Sequence, residues 1–257
     1  RIVAITLLSH KGDEGLIVGI SGTWGSGKTY VAEMVRELAS PAAKVITFRP
    51  WLVTTKELLI MEFFREIGVA ISASVDATAA TEVRQQVYKL GASISGVIAT
   101  AGPYLLSLGA ASGLISPDAA LVGTGAVKGA SDIGKLLETA KESLASEVDQ
   151  QSVSELRSSV IDKCKALTQP VVIVIEDLDR LHKSELQLMF QLIKSVADFP
   201  RVSYLLLYDR DQIIHALKDE VNDVDLYVQK IVQLPLDLPK MDEEGVANLR
   251  TRLDELV

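Results

Sequence analysis

One stretch of the sequence, GTWGSGKT at residues 22–29, has the residue types and the spacing of a phosphate-binding loop. The pattern G-x-x-x-x-G-K-[ST] is matched at every fixed position by Gly22, Gly27, Lys28 and Thr29. Glycines let a backbone turn its N–H groups towards phosphate oxygens, lysine supplies a mobile cation, and threonine offers a hydroxyl to Mg²⁺. The residues expected to contact a nucleotide are Gly22, Thr23, Trp24, Gly25, Ser26, Gly27, Lys28, Thr29 and Tyr30.

Apolar residues on either side of this loop predict the strand and the helix that must position it. LIVGIS at 16–21 is a short apolar run typical of a buried parallel strand. After the loop, an amphipathic helix is predicted from apolar residues at helical spacing, which are Val31, Met34, Val35 and Leu38. A strand, a glycine loop and a helix in this order place a helix N-terminus, with its partial positive charge, against a bound phosphate. The alternative is a glycine-rich turn without a ligand.

A second group of chemically useful side chains follows another apolar run, PVVIVIEDLDRL at 170–181. Val171–Ile175 are all β-branched, which suits a central strand buried on both faces. Glu176 and Asp177 follow at its carboxyl end, where neighbouring strand residues point to opposite sides. We therefore assign Glu176, with Thr29, to Mg²⁺ and Asp177 to the attacking water. The reverse assignment, or an acidic strand end that only caps the next helix, would use the same residues.

Further apolar runs alternate with helical patterns and predict the fold. Besides the two strands above, the predicted strands are KVITF at 44–48, VSYLLLY at 202–208 and QKIVQLPLDLP at 229–239. Alternating strands and helices imply a parallel sheet that binds its ligand at the carboxyl ends of the strands. The sequence therefore predicts an α/β fold, a three-layer α/β/α sandwich with a five-stranded, mostly parallel sheet and a helical insert between the glycine loop and the acidic strand.

Taken together, the motifs resemble one family of nucleotide-binding proteins. Residues 16–239 contain, in order, GTWGSGKT, FRPW, IEDLDRL, YLLLYDRD and QKIVQLPLDLP, with a divergent middle. The tryptophan within the loop, the aromatic-Pro-Trp turn and the acid-acid-x-Asp-Arg run make the chain similar to the KAP family of P-loop NTPases, in the STAND and AAA-like branch. Glu176 departs from the family, which more often has aspartate there, and this leaves the rate of hydrolysis open.

The resemblance implies an activity. Members of this family are ATP-binding and ATP-hydrolysing switches that use Mg²⁺ and drive conformational change or assembly, and similar bacterial proteins act in anti-phage defence. Nucleotide at a subunit boundary would imply a homo-oligomer or partner proteins. Arg210 is similar to the sensor of related NTPases and would act with Lys28 and Asp177 as a catalytic residue beside the γ-phosphate. A surface ion pair of Arg210 with Asp209 or Asp211 is the alternative.

Three other motif residues have simpler roles open to them. Arg180 is expected to pair with Asp179 within the chain, although it could instead reach the nucleotide of a neighbouring subunit. Trp51 and Phe48 are expected to pack between the second strand and a helix, and contact with nucleotide is the less favoured alternative. In each case the simpler role concerns the packing of the protein itself.

The divergent middle contains a run without charge, residues 90–117. Its length permits a membrane span, but glycine, alanine and serine dominate it and Pro103 interrupts it. A soluble helical hairpin or a flexible, poorly ordered insert is therefore favoured over a membrane hairpin. Transmembrane helices at this point in many family members raise the membrane alternative. The predicted organisation has the NTPase core in 1–75 and 166–240, a helical insert rich in small residues in 76–165, and the start of a further helical region in 241–257.

The charge and the cysteine content of the chain exclude some classes of function. The net charge of −8 gives no general attraction to nucleic acid. A single cysteine, Cys164, excludes an internal disulfide framework, and no secretory leader is recognisable. We expect a cytoplasmic protein, or one on the cytoplasmic face of the inner membrane if 90–117 enters a bilayer. An ATP-driven switch is preferred, a membrane-anchored NTPase scaffold is the alternative, and a small-molecule phosphotransferase is disfavoured because no arginine-rich acceptor segment is recognisable.

Overall fold

The computed structural model describes residues 1–53, 55–95, 153–219 and 223–239. The strands in this part of the chain are β1 Leu16–Ser21, β2 Lys44–Phe48, β3 Val171–Ile175, β4 Val202–Tyr208 and β5 Leu234–Asp237. The α-helices there are α1 Ile2–Ser9, α2 Lys28–Ala39, α3 Lys56–Ser72, α4 Ala77–Ser95, α5 Val153–Lys165, α6 Lys183–Gln191, α7 Arg210–Leu217 and α8 Val224–Ile231. Short 3₁₀ turns lie at Pro50–Leu52 and Leu178–Arg180, and a π-helical turn at Leu192–Val196 extends α6.

All the described strands belong to one sheet in the order β2-β3-β4-β1-β5, and each neighbouring pair is parallel. The predicted α/β fold is confirmed, with a sheet that is parallel at every described pairing. Because parallel strands point the same way, the glycine loop after β1 and the acidic residues after β3 lie at the same edge of the sheet. The end of β4 lies between them.

Burial of the strands follows their sequence patterns. Every residue of β3 and β4 is buried, as predicted for strands covered on both faces; β3 is an unbroken apolar run, and Ser203 is the one small polar residue in that of β4. In β5 the burial alternates, and Pro235 lies in this strand at the edge of the sheet, where a missing N–H is tolerated. β3 and β4 are therefore packed on both faces up to the residues that follow them.

The fifth strand is shorter than the sequence predicts. Residues 229–239 were expected to be extended, but Gln229–Ile231 form the last turn of α8 and the strand begins at Leu234. Asp223 starts this helix by accepting a hydrogen bond from the N–H of Leu226 at 2.9 Å. The apolar residues of α8 that face the core, Val224, Val228 and Ile231, recur at helical spacing. Pro235 lies within β5 and Pro239 follows its end, while Gln229–Ile231 are helical.

Two apolar clusters cover opposite faces of the sheet and make the predicted three layers. Val172 and Val174 belong to one cluster with α1 and α2, while Ile173 between them belongs to the other, with α3, α4, α5 and α6. Alternation along the strand explains this division. Cys164 lies in the second cluster, where burial raises the pKa of its thiol to about 12, so it remains a protonated packing residue.

The buried face of helix α2 differs from the predicted one. Its buried residues are Ala32, Val35 and Ala39, whereas Met34 is 38% exposed and Leu38 is 50% exposed. The two alanines let α2 approach the sheet closely, and the larger neighbouring side chains then remain at the borders of the contact. The helix itself was predicted, but its buried face was displaced towards small residues.

Helices α4 and α5 lie at the two ends of the predicted insert, 76–165, and pack on each other. Ser159 donates a hydrogen bond to Gln86 at 2.5 Å, and Lys163 Nζ lies 2.9 Å from Glu82 Oε1, so the two helices are antiparallel. Their buried residues join the core of the sheet. Residues 96–152 lie outside the described residues, so the membrane run and the domain boundaries stay predictions. Among the described residues, no helix combines the length and the apolarity needed to cross a bilayer.

The contact between α3 and α4 depends on one glycine. A Cβ at Gly91 would lie 2.7 Å from the Cβ of Phe64, which is fully buried and cannot move aside. We expect Gly91→Ala to lower the free energy of unfolding by about 1 to 3 kcal/mol, the usual cost of overpacking a core. Urea denaturation measures this change.

Gly68 on α3 provides the matched control for this prediction. A Cβ at Gly68 would lie 3.5 Å from Val87, which is an ordinary contact. Since alanine is the better helix former, Gly68→Ala is expected to be neutral or to add up to about 1 kcal/mol. Equal stabilities of the two variants would show that the α3–α4 contact is not close-packed at Gly91.

Candidate functional site

Two glycines in the loop between β1 and α2 have left-handed backbone conformations. Gly25 has φ 82° and Gly27 has φ 88°, and a Cβ at either position would meet no atom within 4 Å. Glycine is therefore needed here for its conformational freedom and not for space. Gly27 is the last residue before α2, so this turn ends at a helix N-terminus, where backbone N–H groups lack partners within the helix.

Lys28 folds back over the loop that precedes it. Its Nζ donates hydrogen bonds to the carbonyl oxygens of Gly22 at 2.6 Å and Thr23 at 3.1 Å. The ammonium is thus held at the loop by neutral acceptors. A phosphate oxygen carries negative charge and would make the stronger, charge-assisted hydrogen bond.

Ser26 contributes a polar atom that has no partner among the described residues. Its hydroxyl is buried and makes no hydrogen bond in this part of the chain. Gly22 lies directly against it, since a Cβ at Gly22 would collide with this hydroxyl. An orphaned hydroxyl, two left-handed glycines and a lysine ammonium form a set of groups that fits phosphate oxygens.

Three other predicted loop residues are open to solvent, while Thr23 is partly buried. Trp24 is 89% exposed and Tyr30 is 70% exposed, and Thr29 is also exposed at the start of α2. The Thr29 hydroxyl and the Glu176 carboxylate are both hard oxygen ligands of the kind that Mg²⁺ prefers. The residues present therefore fit a magnesium ion as well as a phosphate group.

Glu176 is held by the turn after β2. Its N–H donates to the carbonyl of Phe48 at 3.1 Å, and Arg49 Nε donates to Glu176 Oε2 at 2.7 Å. The Glu176 side chain is only 12% exposed, whereas that of Arg49 is 52% exposed. The carboxylate is consequently fixed in a nearly buried position by a guanidinium that solvent still reaches.

Asp177 has a backbone conformation that strand alternation does not provide. Its φ is 57° and its ψ is 40°, in the left-handed region, and it precedes the 3₁₀ turn at Leu178–Arg180. Non-glycine residues are uncommon in this region, and they are enriched at functional sites because the surrounding structure must maintain the strain. Both acids follow the end of β3, so strand alternation does not direct them, and each has its own arginine partner.

Arg180 forms an intramolecular pair with a different acid from the one predicted. Its Nε lies 3.3 Å from Asp177 Oδ1, whereas Asp179 accepts a hydrogen bond from the N–H of Asp209 at 3.1 Å. The Arg180 guanidinium also lies 5.1 Å from the centre of the Trp51 ring. Trp51 is 41% exposed, so the prediction that it packs between a strand and a helix was wrong.

Phe48 does pack as predicted. It is 5% exposed, and its ring centre lies 5.5 Å from that of Phe63 on α3. The turn after β2 thus begins with a buried aromatic residue and ends with a half-exposed one. Only the first of the two faces the core.

Arg210 is engaged by an acid that the sequence did not indicate. Its Nε donates to Asp225 Oδ1 at 2.9 Å, so neither Asp209 nor Asp211 is its partner. Asp209 accepts hydrogen bonds from the N–H groups of Asp211 and Gln212 and so starts α7. Arg210 also lines a cavity of 170 Å³ that adjoins the glycine loop. A role for Arg210 at the γ-phosphate stays a prediction, and it requires the pair with Asp225 to open.

A contact joins each neighbouring pair of strands near their carboxyl ends. In strand order these are Arg49 with Glu176, Asp179 with the N–H of Asp209, the Tyr208 carbonyl with the N–H of Gly22, and Ser21 with Asp237, at 2.7, 3.1, 3.2 and 2.6 Å. The glycine loop and Glu176 are therefore held in one hydrogen-bonded edge, and Asp177 lies in the chain between Glu176 and Asp179, which both belong to it.

Several members of this edge were missed by the sequence reasoning. Neither Ser21, Arg49 nor Asp237 was assigned a role there. A signal was nevertheless available, because every described strand ends in, or is directly followed by, a polar residue; these are Ser21, Arg49, Glu176, Asp209 and Asp237. In a parallel sheet, such residues must meet at one edge.

Comparison with known proteins identifies the family. Residues 2–257 match the KAP family P-loop domain. The chain belongs to this family. The resemblance found in the motifs is thereby confirmed, and the chain has the P-loop domain of a nucleotide-binding family. That Gly22–Thr29 is its phosphate-binding loop stays a prediction.

The KAP domain is also similar to a curated protein. It is 30% identical over 257 residues to the phage T7 exclusion protein of Escherichia coli (strain K12). The match covers 93% of this chain but only 32% of that relative. The similarity therefore concerns the domain, and the chain spans about a third of the relative's length.

Proposed function

We propose that this KAP domain binds ATP with Mg²⁺, hydrolyses it, and uses the cycle to switch conformation or assembly. The observation that carries the proposal is the common position of the glycine loop and the acidic pair at one edge of a parallel sheet. P-loop NTPases need these two elements together, one for the phosphates and the other for the metal ion and the water.

The loop residues, Glu176 and Arg49 each have a proposed task. Lys28, Ser26 and the loop N–H groups bind the β- and γ-phosphates, to which the lysine moves from the carbonyl oxygens it now contacts. Thr29 and Glu176 would hold Mg²⁺, which supplies positive charge against the phosphates when bound. Arg49 engages Glu176 through Oε2, so that Oε1 can face the metal ion through water.

Asp177 is proposed to orient the attacking water and accept its proton. The water oxygen bonds to the γ-phosphorus while the bond from that phosphorus to the β–γ bridging oxygen breaks, and ADP leaves with the electron pair. Product analysis tests this reaction. ADP and free phosphate in equal amounts are expected, whereas a phosphorylated small molecule, or no turnover, would contradict the proposal.

ATP is expected to promote self-association of the domain. An arginine of one copy would contact the γ-phosphate held by the other, and Arg180 and Arg210 are the candidates. Each must first leave its present partner, Asp177 or Asp225. A contact worth about 1.4 kcal/mol changes the assembly constant about tenfold. Light scattering with and without a non-hydrolysable ATP analogue measures this, and an unchanged mass well above the nucleotide Kd would indicate a monomeric switch.

Participation in anti-phage defence is proposed from the relative alone. That protein is named for phage T7 exclusion, and the present chain matches 32% of it. Phage plating on cells that produce the protein tests the proposal. Protection that is lost with Lys28→Met would link defence to nucleotide binding, and equal plating with and without the protein would count against this setting.

A further inference from the structure

The turn after β2, residues 48–51, contacts one acid of the site directly. We call it the β2 turn. The Phe48 carbonyl accepts the N–H of Glu176, and Arg49 donates to the Glu176 carboxylate at 2.7 Å. Glu176 is thus fixed at its backbone and at its side chain by two consecutive residues of the same turn.

The β2 turn reaches the other acid through one intermediate. The Arg180 guanidinium lies 5.1 Å from the centre of the Trp51 ring, and Arg180 Nε lies 3.3 Å from Asp177 Oδ1. Arg180 is therefore held between an aromatic face and a carboxylate. Cations stack favourably on tryptophan, and most favourably on its face.

The β2 turn is firmly attached to the core. Phe48 is buried against Phe63, and Pro50 is buried at the start of the 3₁₀ turn. The N–H of Val53 donates to the Pro50 carbonyl at 3.1 Å. Trp51, by contrast, is 41% exposed, so burial in the core does not account for its position.

We propose that the β2 turn positions both acids of the ATPase site: Arg49 orients Glu176, and Trp51 orients Asp177 by holding Arg180 against it. The inference rests on the proposed hydrolysis of ATP. It keeps Arg180 on Asp177, which leaves Arg210 as the arginine that would reach the nucleotide of a neighbouring copy. Arg49 and Trp51 are positioning residues in this account, because each acts through another side chain. Their loss should affect different steps, metal binding for Arg49 and turnover for Trp51.

Two opposing effects decide whether the loss of Arg49 raises or lowers the affinity for Mg²⁺. Removing a cation next to Glu176 lowers the repulsion of Mg²⁺, but Arg49 is half exposed, so water and salt screen that repulsion. Removing the hydrogen bond also frees the carboxylate to rotate, and loss of such an outer partner costs about 10 to 100-fold in metal affinity. The second effect is larger. Arg49→Gln is expected to raise the half-saturating Mg²⁺ concentration about tenfold.

Trp51→Ala is expected to lower kcat about tenfold or more, because small displacements of a catalytic group are costly, while the Kd for Mg-ATP changes less than about twofold. Trp51→Phe keeps an aromatic face and should retain most of the activity. If Trp51 acts through Arg180, the double variant Trp51→Ala/Arg180→Ala should turn over no more slowly than Arg180→Ala alone. Additive losses would overturn the inference.

Leu52, the residue directly after the β2 turn, supplies the control. It is 62% exposed and follows Trp51 directly, so Leu52→Ala perturbs the 3₁₀ turn without touching either arginine contact. Kd, kcat and the Mg²⁺ requirement should match the parent.

An unchanged or lowered Mg²⁺ requirement in Arg49→Gln, or unchanged kcat in Trp51→Ala, would each overturn the corresponding half of the inference.

A measurement without nucleotide separates this inference from the proposed function. The chain has two tryptophans, so in a Trp24→Phe background the fluorescence comes from Trp51 alone. Arg180→Ala should uncover the ring and raise its quenching by acrylamide about twofold, in proportion to the exposed face. Unchanged quenching would show that Arg180 does not cover Trp51. A parent chain that hydrolyses no ATP would instead contradict the proposed function, whatever the quenching result.

Discussion

Lys28→Met is expected to weaken ATP binding by about 10² to 10⁴-fold, because about 3 to 6 kcal/mol is lost with two charge-assisted hydrogen bonds to phosphate. Lys28 Nζ lies within hydrogen-bonding distance of two loop carbonyl oxygens before any ligand is bound, so little reorganisation is needed to bring it to a phosphate. Methionine is unbranched and a good helix former, so the start of α2 should be preserved.

Titration calorimetry with ATP at fixed Mg²⁺ measures the loss. Lys56→Met is the control, since Lys56 is an exposed lysine at the start of another helix, α3. Both variants should unfold at nearly the parent temperature without nucleotide, which separates lost binding from lost folding. If the Lys28 variant bound ATP as tightly as the parent, Gly22–Thr29 would not be the phosphate site.

Asp177→Asn is expected to slow hydrolysis by about 10² to 10⁴-fold, the usual contribution of a positioned base. Asparagine tolerates the left-handed region about as well as aspartate, so the turn at φ 57° should be kept. Binding of Mg-ATP should therefore stay within a few-fold of the parent. Single-turnover phosphate release, together with the Kd, distinguishes the chemical step from binding.

Asp179→Asn is the matched control, two residues away. Asp179 accepts a hydrogen bond from the N–H of Asp209, and the asparagine oxygen can accept the same bond, so hydrolysis should be nearly unchanged. Glu176→Gln should raise the Mg²⁺ requirement instead. If added Mg²⁺ restored Asp177→Asn and left Glu176→Gln inactive, the roles of the two acids would have to be exchanged.

The fold could be predicted from the sequence wherever one physical requirement dominates. β3 is an unbroken apolar run, and β4 a nearly unbroken one, because both strands are covered on both faces. The loop between β1 and α2 needs glycine at Gly25 and Gly27 for their positive φ. These requirements act on consecutive residues. The pattern of a short segment therefore indicates its structure.

Partners that are distant in the sequence could not be predicted in the same way. Arg210 has two aspartates beside it in the chain, but it pairs with Asp225, because α7 and α8 pack together and Asp209 is used to start α7. Arg180 lies next to Asp179, yet the 3₁₀ turn directs it to Asp177 and Trp51. Such contacts depend on how elements pack, and spacing alone does not determine them.

The predicted buried face of α2 was wrong for a related reason. Hydrophobicity alone favoured Met34 and Leu38, while the depth at which a helix packs on a sheet depends on its small residues, here Ala32 and Ala39. Side-chain volume decided the buried face. A periodicity count treats all apolar residues alike and therefore misplaced it.

The central claim is that the glycine loop and the acidic pair form one Mg-ATP site, and a crystal structure of Asp177→Asn with ATP and Mg²⁺ tests it most directly. The account predicts the triphosphate in the loop of residues 22–29, with Lys28 Nζ on a phosphate oxygen instead of the Gly22 and Thr23 carbonyls, and Mg²⁺ between Thr29 and Glu176. A triphosphate bound elsewhere, or Lys28 still hydrogen-bonded to those carbonyls with ATP present, would contradict it.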